Sequence, residues 1–129
     1  MPTAKQTVAI VEDDAGYNLA LERLLRASGF ATKTFLSAEA FLASAAPESH
    51  GCLILDIHLP GMSGFELCER LSMSGPRPPV IFITAEDGQA VRERAYLISG
   101  NACLRKPLVG AVLLEAVRVQ LGRSHSSEH

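Results

Sequence analysis

Five short apolar runs recur along the chain: TVAIV (7–11), ATKTF (31–35), CLIL (52–55), VIFIT (80–84) and ACL (102–104). After each run comes a stretch with helical spacing of its apolar residues. Strand and helix therefore alternate five times. That alternation leaves few architectures open. Consecutive parallel strands need a crossover, and the crossover helices cover the sheet on both faces. The expectation is an α/β fold with a doubly wound, five-stranded parallel sheet in (βα)5 order. CLIL and VIFI are apolar throughout, which suits strands buried on both faces. Thr32, Lys33 and Thr34 make the second run mixed, which suits an edge strand.

The helical segments carry their own boundaries. Between Ala15 and Ser28, residues Tyr17, Leu21, Leu24, Leu25 and Ser28 share one face, and Gly29 stops the helix. Ser37 can cap a helix bearing Ala40, Phe41 and Leu42 that ends before Pro47. Ser63 and Glu66 have capping-box spacing ahead of Leu67 and Leu71. Asp87 can cap a helix with Val91, Ala95 and Ile98 that ends at Gly100. The last helix, near 109–121, puts Val109, Val112, Leu113, Ala116 and Val117 on one face, with Gly122 after it. The segment SGPRPP (74–79) is a loop, because a core strand follows at once.

A chain of 129 residues with 47% apolar and 20% charged residues fits one globular domain. Its expected bounds are 1–122. Residues 123–129 are expected to be a frayed polar tail or the start of a linker. The net charge of −2 argues against direct nucleic-acid binding by this domain. No apolar run has the length of a membrane span. The first seven residues are polar and lack the apolar segment of a secretory signal. Cys52, Cys68 and Cys103 are widely separated, odd in number and flanked by apolar residues, so reduced thiols in a cytoplasmic protein are expected.

In a doubly wound sheet, ligands bind outside the carboxyl ends of the strands. Glu12, Asp13 and Asp14 follow the first run, Asp56 the third, Thr84 ends the fourth, and Lys106 and Pro107 follow the fifth. Two like charges about 4 Å apart repel by roughly 4 kcal/mol at an effective dielectric near 20, so an acidic knot at a strand end needs a reason. Each residue has an ordinary role when taken alone. Asp14 can cap the helix that begins at Ala15, a lone Asp is often a turn residue, and a lone Lys is often a solvated charge. Convergence at one sheet edge changes the weighing. Carboxylates in a partly open site suit Mg²⁺, with Mn²⁺ able to substitute. A carboxylate can also act as nucleophile and take a phosphoryl group. Asp56 is the best such candidate, because it stands alone after the central run. Thr84 and Lys106 would meet the transferred group. Glu12 points to the side opposite Asp13 by strand alternation and reads as a solvated or locally paired acid.

The blocks IVEDD, LILDIHLPGMSGFEL, VIFITA and LRKP are, in order and spacing, similar to the receiver domain of bacterial two-component response regulators. The resemblance runs from about residue 6 to 121. It implies a flavodoxin-like fold with strand order 2-1-3-4-5. It further implies that Asp56 accepts a phosphoryl group from a sensor histidine kinase or phosphotransfer protein. Asp13 and Asp14 would form the acidic pair. Asp14 and Asp56 would supply side-chain oxygens to Mg²⁺, and the backbone carbonyl of His58 would complete the protein ligands. Thr84 would be the switch hydroxyl, Lys106 would contact the phosphoryl group, and the Lys106–Pro107 bond would be cis. Phosphorylation would repack the face of the fourth helix, fifth strand and fifth helix, through which a partner or a second copy would bind. Leu114 and Val119 fall off the core stripe and would offer that face apolar groups. The segment SAEAFL (37–42) further resembles the receivers of LuxR-type transcription factors.

One position departs from the family pattern. Cys103 stands three residues before the Lys, where the family usually has Tyr or Phe. Thr84 and the backbone would then carry the switch without an aromatic rotor, or the conformational response would be weak. His58 and Glu86, two residues beyond Asp56 and Thr84, occupy positions that tune the lifetime of the acyl phosphate in this family. Two other functions compete. A Mg²⁺-dependent phosphohydrolase of the haloacid-dehalogenase type needs a D-x-D-x-T run, which EDDAG lacks. A pseudo-receiver that only binds proteins typically loses the acids, the acceptor or the Lys, all of which are present here.

Overall fold

The computed structural model describes residues 7–126 apart from Asp87 and Ala102. Five strands, β1 (Thr7–Val11), β2 (Ala31–Phe35), β3 (Cys52–Asp56), β4 (Val80–Thr84) and β5 (Leu104–Arg105), form one sheet. The order is β2-β1-β3-β4-β5, and every pairing is parallel. Helices α1 (Ala15–Ala27), α2 (Ala38–Ala43), α3 (Gly64–Met73), α4 (Gln89–Ser99) and α5 (Gly110–Ser126) make the crossovers. The α/β architecture and the strand order are those expected, and β2 lies at the edge. β5 starts at Leu104, so it is shorter and later than the run ACL suggests.

Strand alternation divides the core in two. Val8, Ile10, Cys52, Ile54, Ile81 and Ile83 face Leu21 and Leu25 of α1 and Leu113 and Val117 of α5. Ala9, Val11, Leu53, Leu55, Val80 and Phe82 face α2, α3 and α4 through Phe41, Leu67, Leu71 and Ala95. β1, β3 and β4 are buried along their whole length, as strands covered on both faces must be.

Local signals set most helix starts. Ser37 caps α2, and Ser63 with Glu66 closes a full capping box on α3. Gly100 ends α4 in the left-handed region, where a glycine has no Cβ to clash. The expected cap Asp87 lies outside the described residues, and α4 begins after Gly88 without a side-chain cap bond. α5 differs from expectation twice. Its helix continues through Gly122 to Ser126, since a helical glycine costs only about 1 kcal/mol relative to Ala and does not by itself end a helix. Its buried face is also rotated. Leu113, Val117 and Gln120 are inside and Leu114 packs against them, whereas Val109 and Val112 are exposed. Among the described residues, no helix is long and apolar enough to cross a membrane.

Candidate functional site

The carboxyl ends of β1, β3, β4 and β5 meet as the alternation required. β1 and β3 run in register with Val11 beside Leu55, so the next residues, Glu12 and Asp56, follow side by side. Asp56 continues the parity of Cys52 and Ile54, Glu12 that of Val8 and Ile10, and Lys106 that of Leu104. All three therefore belong to the α1/α5 side of the sheet. Thr84 has the parity of Phe82 and comes from the α4 side.

Asp56 is nearly buried. Its Oδ1 accepts the His58 N–H at 2.9 Å, and its Oδ2 accepts the Lys106 ammonium at 2.9 Å. The turn that follows packs tightly on it. A Cβ at Gly64 would sit 2.5 Å from the Asp56 carbonyl oxygen, so only glycine lets α3 start this close to the acceptor strand. A second tether comes from α2, where the Glu39 carboxylate accepts the Met62 N–H at 3.0 Å. That hydrogen bond holds the Glu39 carboxyl below its usual pKa.

Glu12 is where the structure most changes the reading. It is fully buried rather than solvated. It lies on the side of the sheet where Asp56 and Lys106 stand. Glu12 pairs directly with the Lys106 ammonium and also accepts the Asp14 N–H at 3.1 Å. Burial pushes its carboxyl well above the usual range, against the pull of the Lys106 and Asp14 hydrogen bonds. Burial would lower the Lys106 pKa, but hydrogen bonds to Glu12 and Asp56 outweigh it and hold the ammonium charged.

Carboxylate oxygens of Glu12, Asp13 and Asp56 all lie within 4.8 Å of one another. Asp14, expected as a metal ligand, is not in that group. Its Oδ1 accepts the Tyr17 N–H at 3.0 Å and caps α1. The reason is chain direction: by Asp14 the backbone has left the strand and is starting the helix, so its side chain serves the first helical turn. Among the described residues, three carboxylates meet one ammonium, which leaves the cluster short of positive charge. Hard oxygen donors with unneutralised charge fit a small divalent cation such as Mg²⁺.

Thr84 is buried, and its Oγ1 accepts the Glu86 N–H at 3.0 Å. Its carbonyl accepts the Lys106 N–H at 2.8 Å, which ties β4 to β5 at the site. The Lys106–Pro107 bond is cis. His58 and Glu86 reach across to each other, with Nε2 2.5 Å from Oε2, and both are half exposed. Cys103 is half-buried, and burial raises its thiol pKa. It borders an open cleft of about 670 Å³ on the α4 side, with Tyr96 and Leu97 among its walls.

Residues 8–118 match the response regulator receiver domain. The chain belongs to that family. The transcriptional regulatory protein FixJ of Azorhizobium caulinodans is 35% identical to this receiver over 117 residues, which is 91% of the chain and 56% of FixJ. The transcriptional regulatory protein CreB of Escherichia coli is 34% identical over 119 residues, 92% of the chain and 52% of CreB. The crystal structure of FixJ-N superposes with a TM-score of 0.83 at 33% identity, covering 95% of this receiver and 96% of that chain. The chain thus spans about half the length of the curated relatives it matches. It is a receiver domain of two-component response regulators, a signalling module.

Sequence reasoning missed Glu12. The signal that could have found it is parity: Glu12, Asp56 and Lys106 each lie two residues beyond an apolar residue of one core face.

Proposed function

We propose that this receiver takes a phosphoryl group on Asp56 from the phosphohistidine of a sensor histidine kinase or phosphotransfer protein. One observation carries the reading: the nearly buried Asp56 carboxylate is 2.9 Å from the Lys106 ammonium and within reach of two further carboxylates. A carboxylate oxygen of Asp56 attacks phosphorus, the P–N bond breaks, and the donor imidazole leaves with the electron pair. Lys106 follows the developing charge on the phosphoryl oxygens. Thr84 exchanges the Glu86 N–H for a phosphoryl oxygen, with its own hydroxyl as donor. Glu12, Asp13 and Asp56, with the His58 backbone carbonyl, would hold Mg²⁺ or Mn²⁺. When bound, the cation neutralises phosphoryl charge, which positioning alone cannot do.

The chain catalyses only its own phosphorylation and dephosphorylation. Movement of Thr84 then alters the face of α4, β5 and α5. Exposed Tyr96, Leu97 and Val119 support a partner or a second copy of the chain binding there. Cys103 is too small to act as an aromatic rotor, so Thr84 and the backbone carry the change. The names of the relatives support regulation of transcription as the output.

Mass spectrometry after acetyl phosphate and Mg²⁺ tests the reading. The wild type should gain the mass of one phosphoryl group, and Asp56→Asn should not. An unmodified wild type, or an equally modified variant, would sink it.

A further inference from the structure

Lys106 has a third neighbour besides its two carboxylates. The Tyr17 ring, from the first turn of α1, stands 4.9 Å from the ammonium, measured to the ring centroid. The same side chain reaches further along the chain, where its hydroxyl accepts the Leu108 N–H at 3.1 Å. One residue of α1 thus touches both ends of the segment 106–108 that carries the site's cation. Tyr17 is itself held, because the Asp14 carboxylate caps its backbone N–H. An aromatic face attracts a cation, and more strongly where water is excluded.

The contact has a property that the carboxylates lack. Hydrogen bonds to Glu12 and Asp56 fix the ammonium by direction. Attraction to a ring face depends weakly on which N–H points where. An ammonium resting against Tyr17 can therefore turn from Asp56 to a phosphoryl oxygen and keep that attraction.

The geometry points to Tyr17 as a positioning residue for phosphoryl transfer: its ring holds the Lys106 ammonium at the acceptor, and its hydroxyl anchors the backbone that follows. The inference rests on Asp56 being the acceptor.

Tyr17→Leu and Tyr17→Phe separate the two contacts. With acetyl phosphate and Mg²⁺, Tyr17→Leu should lower the maximal phosphorylation rate by about three- to thirtyfold with little change in KM. Tyr17→Phe keeps the ring and should restore the wild-type rate, while its melting temperature falls because the Leu108 N–H loses its acceptor. NMR supplies a readout independent of activity. The Lys106 methylene protons next to the ammonium should be shifted upfield by the ring in wild type and Tyr17→Phe, and a folded Tyr17→Leu should lose the shift. A wild-type rate in Tyr17→Leu, a Tyr17→Phe as slow as Tyr17→Leu, or unshifted Lys106 signals in the wild type would overturn the inference. A wild type that takes no phosphoryl group would instead defeat the proposed function, and the ring shift would still test the placement of Tyr17.

Discussion

The two ends of the sheet handle polar groups in opposite ways. At the amino end, His50 is buried against Phe41, and a ring nitrogen lies 3.0 Å from the Pro47 carbonyl. Asn101 donates to the Val80 carbonyl at 3.1 Å and accepts from the buried Gln120 amide at 2.8 Å. Arg77 donates to the Ile98 carbonyl at 2.6 Å. Each of these groups is consumed by the fold. At the carboxyl end, Glu12, Asp13 and Asp56 cluster around a single ammonium among the described residues. Among the described residues, no buried side-chain polar atom lacks a hydrogen-bond partner. What distinguishes the site is therefore surplus charge, not missing hydrogen bonds. A cluster of that kind has affinity to spare for a cation and a phosphoryl group.

The largest expected effect comes from removing the ammonium that pairs with Glu12 and Asp56. Lys106→Met leaves the buried Glu12 without its partner and should cost about 3–5 kcal/mol in urea unfolding without Mg²⁺. Adding Glu12→Gln should return most of the loss. A Lys106→Met protein as stable as wild type would show that the charge is not held by the fold.

Asn101→Ala attacks the amino end. It strands the Gln120 amide and the Val80 carbonyl and should cost about 1–3 kcal/mol. The rate of Asp56 phosphorylation should not change. A slower rate at equal folded fraction would mean that the two ends are coupled and the contrast is false.

The acidic run can be divided next. Asp14→Ala should lose about 0.5–2 kcal/mol of stability, as a lost N-cap does, and keep its Mg²⁺ affinity. Asp13→Asn should do the reverse. NMR titration with Mg²⁺ beside urea unfolding distinguishes them, and weakened Mg²⁺ binding in Asp14→Ala would restore Asp14 as a ligand.

The smallest effects concern the thiols. Burial pushes Cys52 up to about 12 and Cys68 up to about 11. Unfolded thiols titrate near 8.5, so above that pH the unfolded chain releases protons that the folded one keeps. The contribution of these two residues to stability is whole below about 8.5 and falls as pH rises towards their folded values. Iodoacetamide at mildly alkaline pH should modify Cys103 before Cys68 and Cys52. Early alkylation of Cys52 in the folded protein would contradict its burial.

Much of this was readable from the chain alone. The runs 7–11, 31–35 and 80–84 are strands at the residues expected: the first and last are apolar apart from one Thr each, as strands buried on both faces are, and the mixed run 31–35 is the partly exposed edge strand. The capping box at Ser63 and Glu66 was legible for a similar reason, since both halves of the interaction lie within one turn. α5 was harder. Val109, Val112, Leu113, Ala116 and Val117 allow more than one apolar face, and the buried Gln120 is inside only because Asn101 is there to receive it. No local pattern carries that information.

The acidic run shows where the division falls. Chain order alone fixes that acids end β1, that one acid ends β3, and that a lysine follows β5. Strand alternation predicts Glu12 and Asp13 on opposite sides, yet their carboxylate oxygens lie within 4.8 Å of each other, because the strand ends at Val11. Which of these acids stands beside the acceptor depends on the register of β1 against β3, a contact between residues more than forty positions apart. With Glu12 beside Asp56, burial and the Lys106 ammonium select Glu12 for the site. The same geometry releases Asp14 to cap α1. Local spacing sets what a residue can do, and long-range register sets which of its capacities is used.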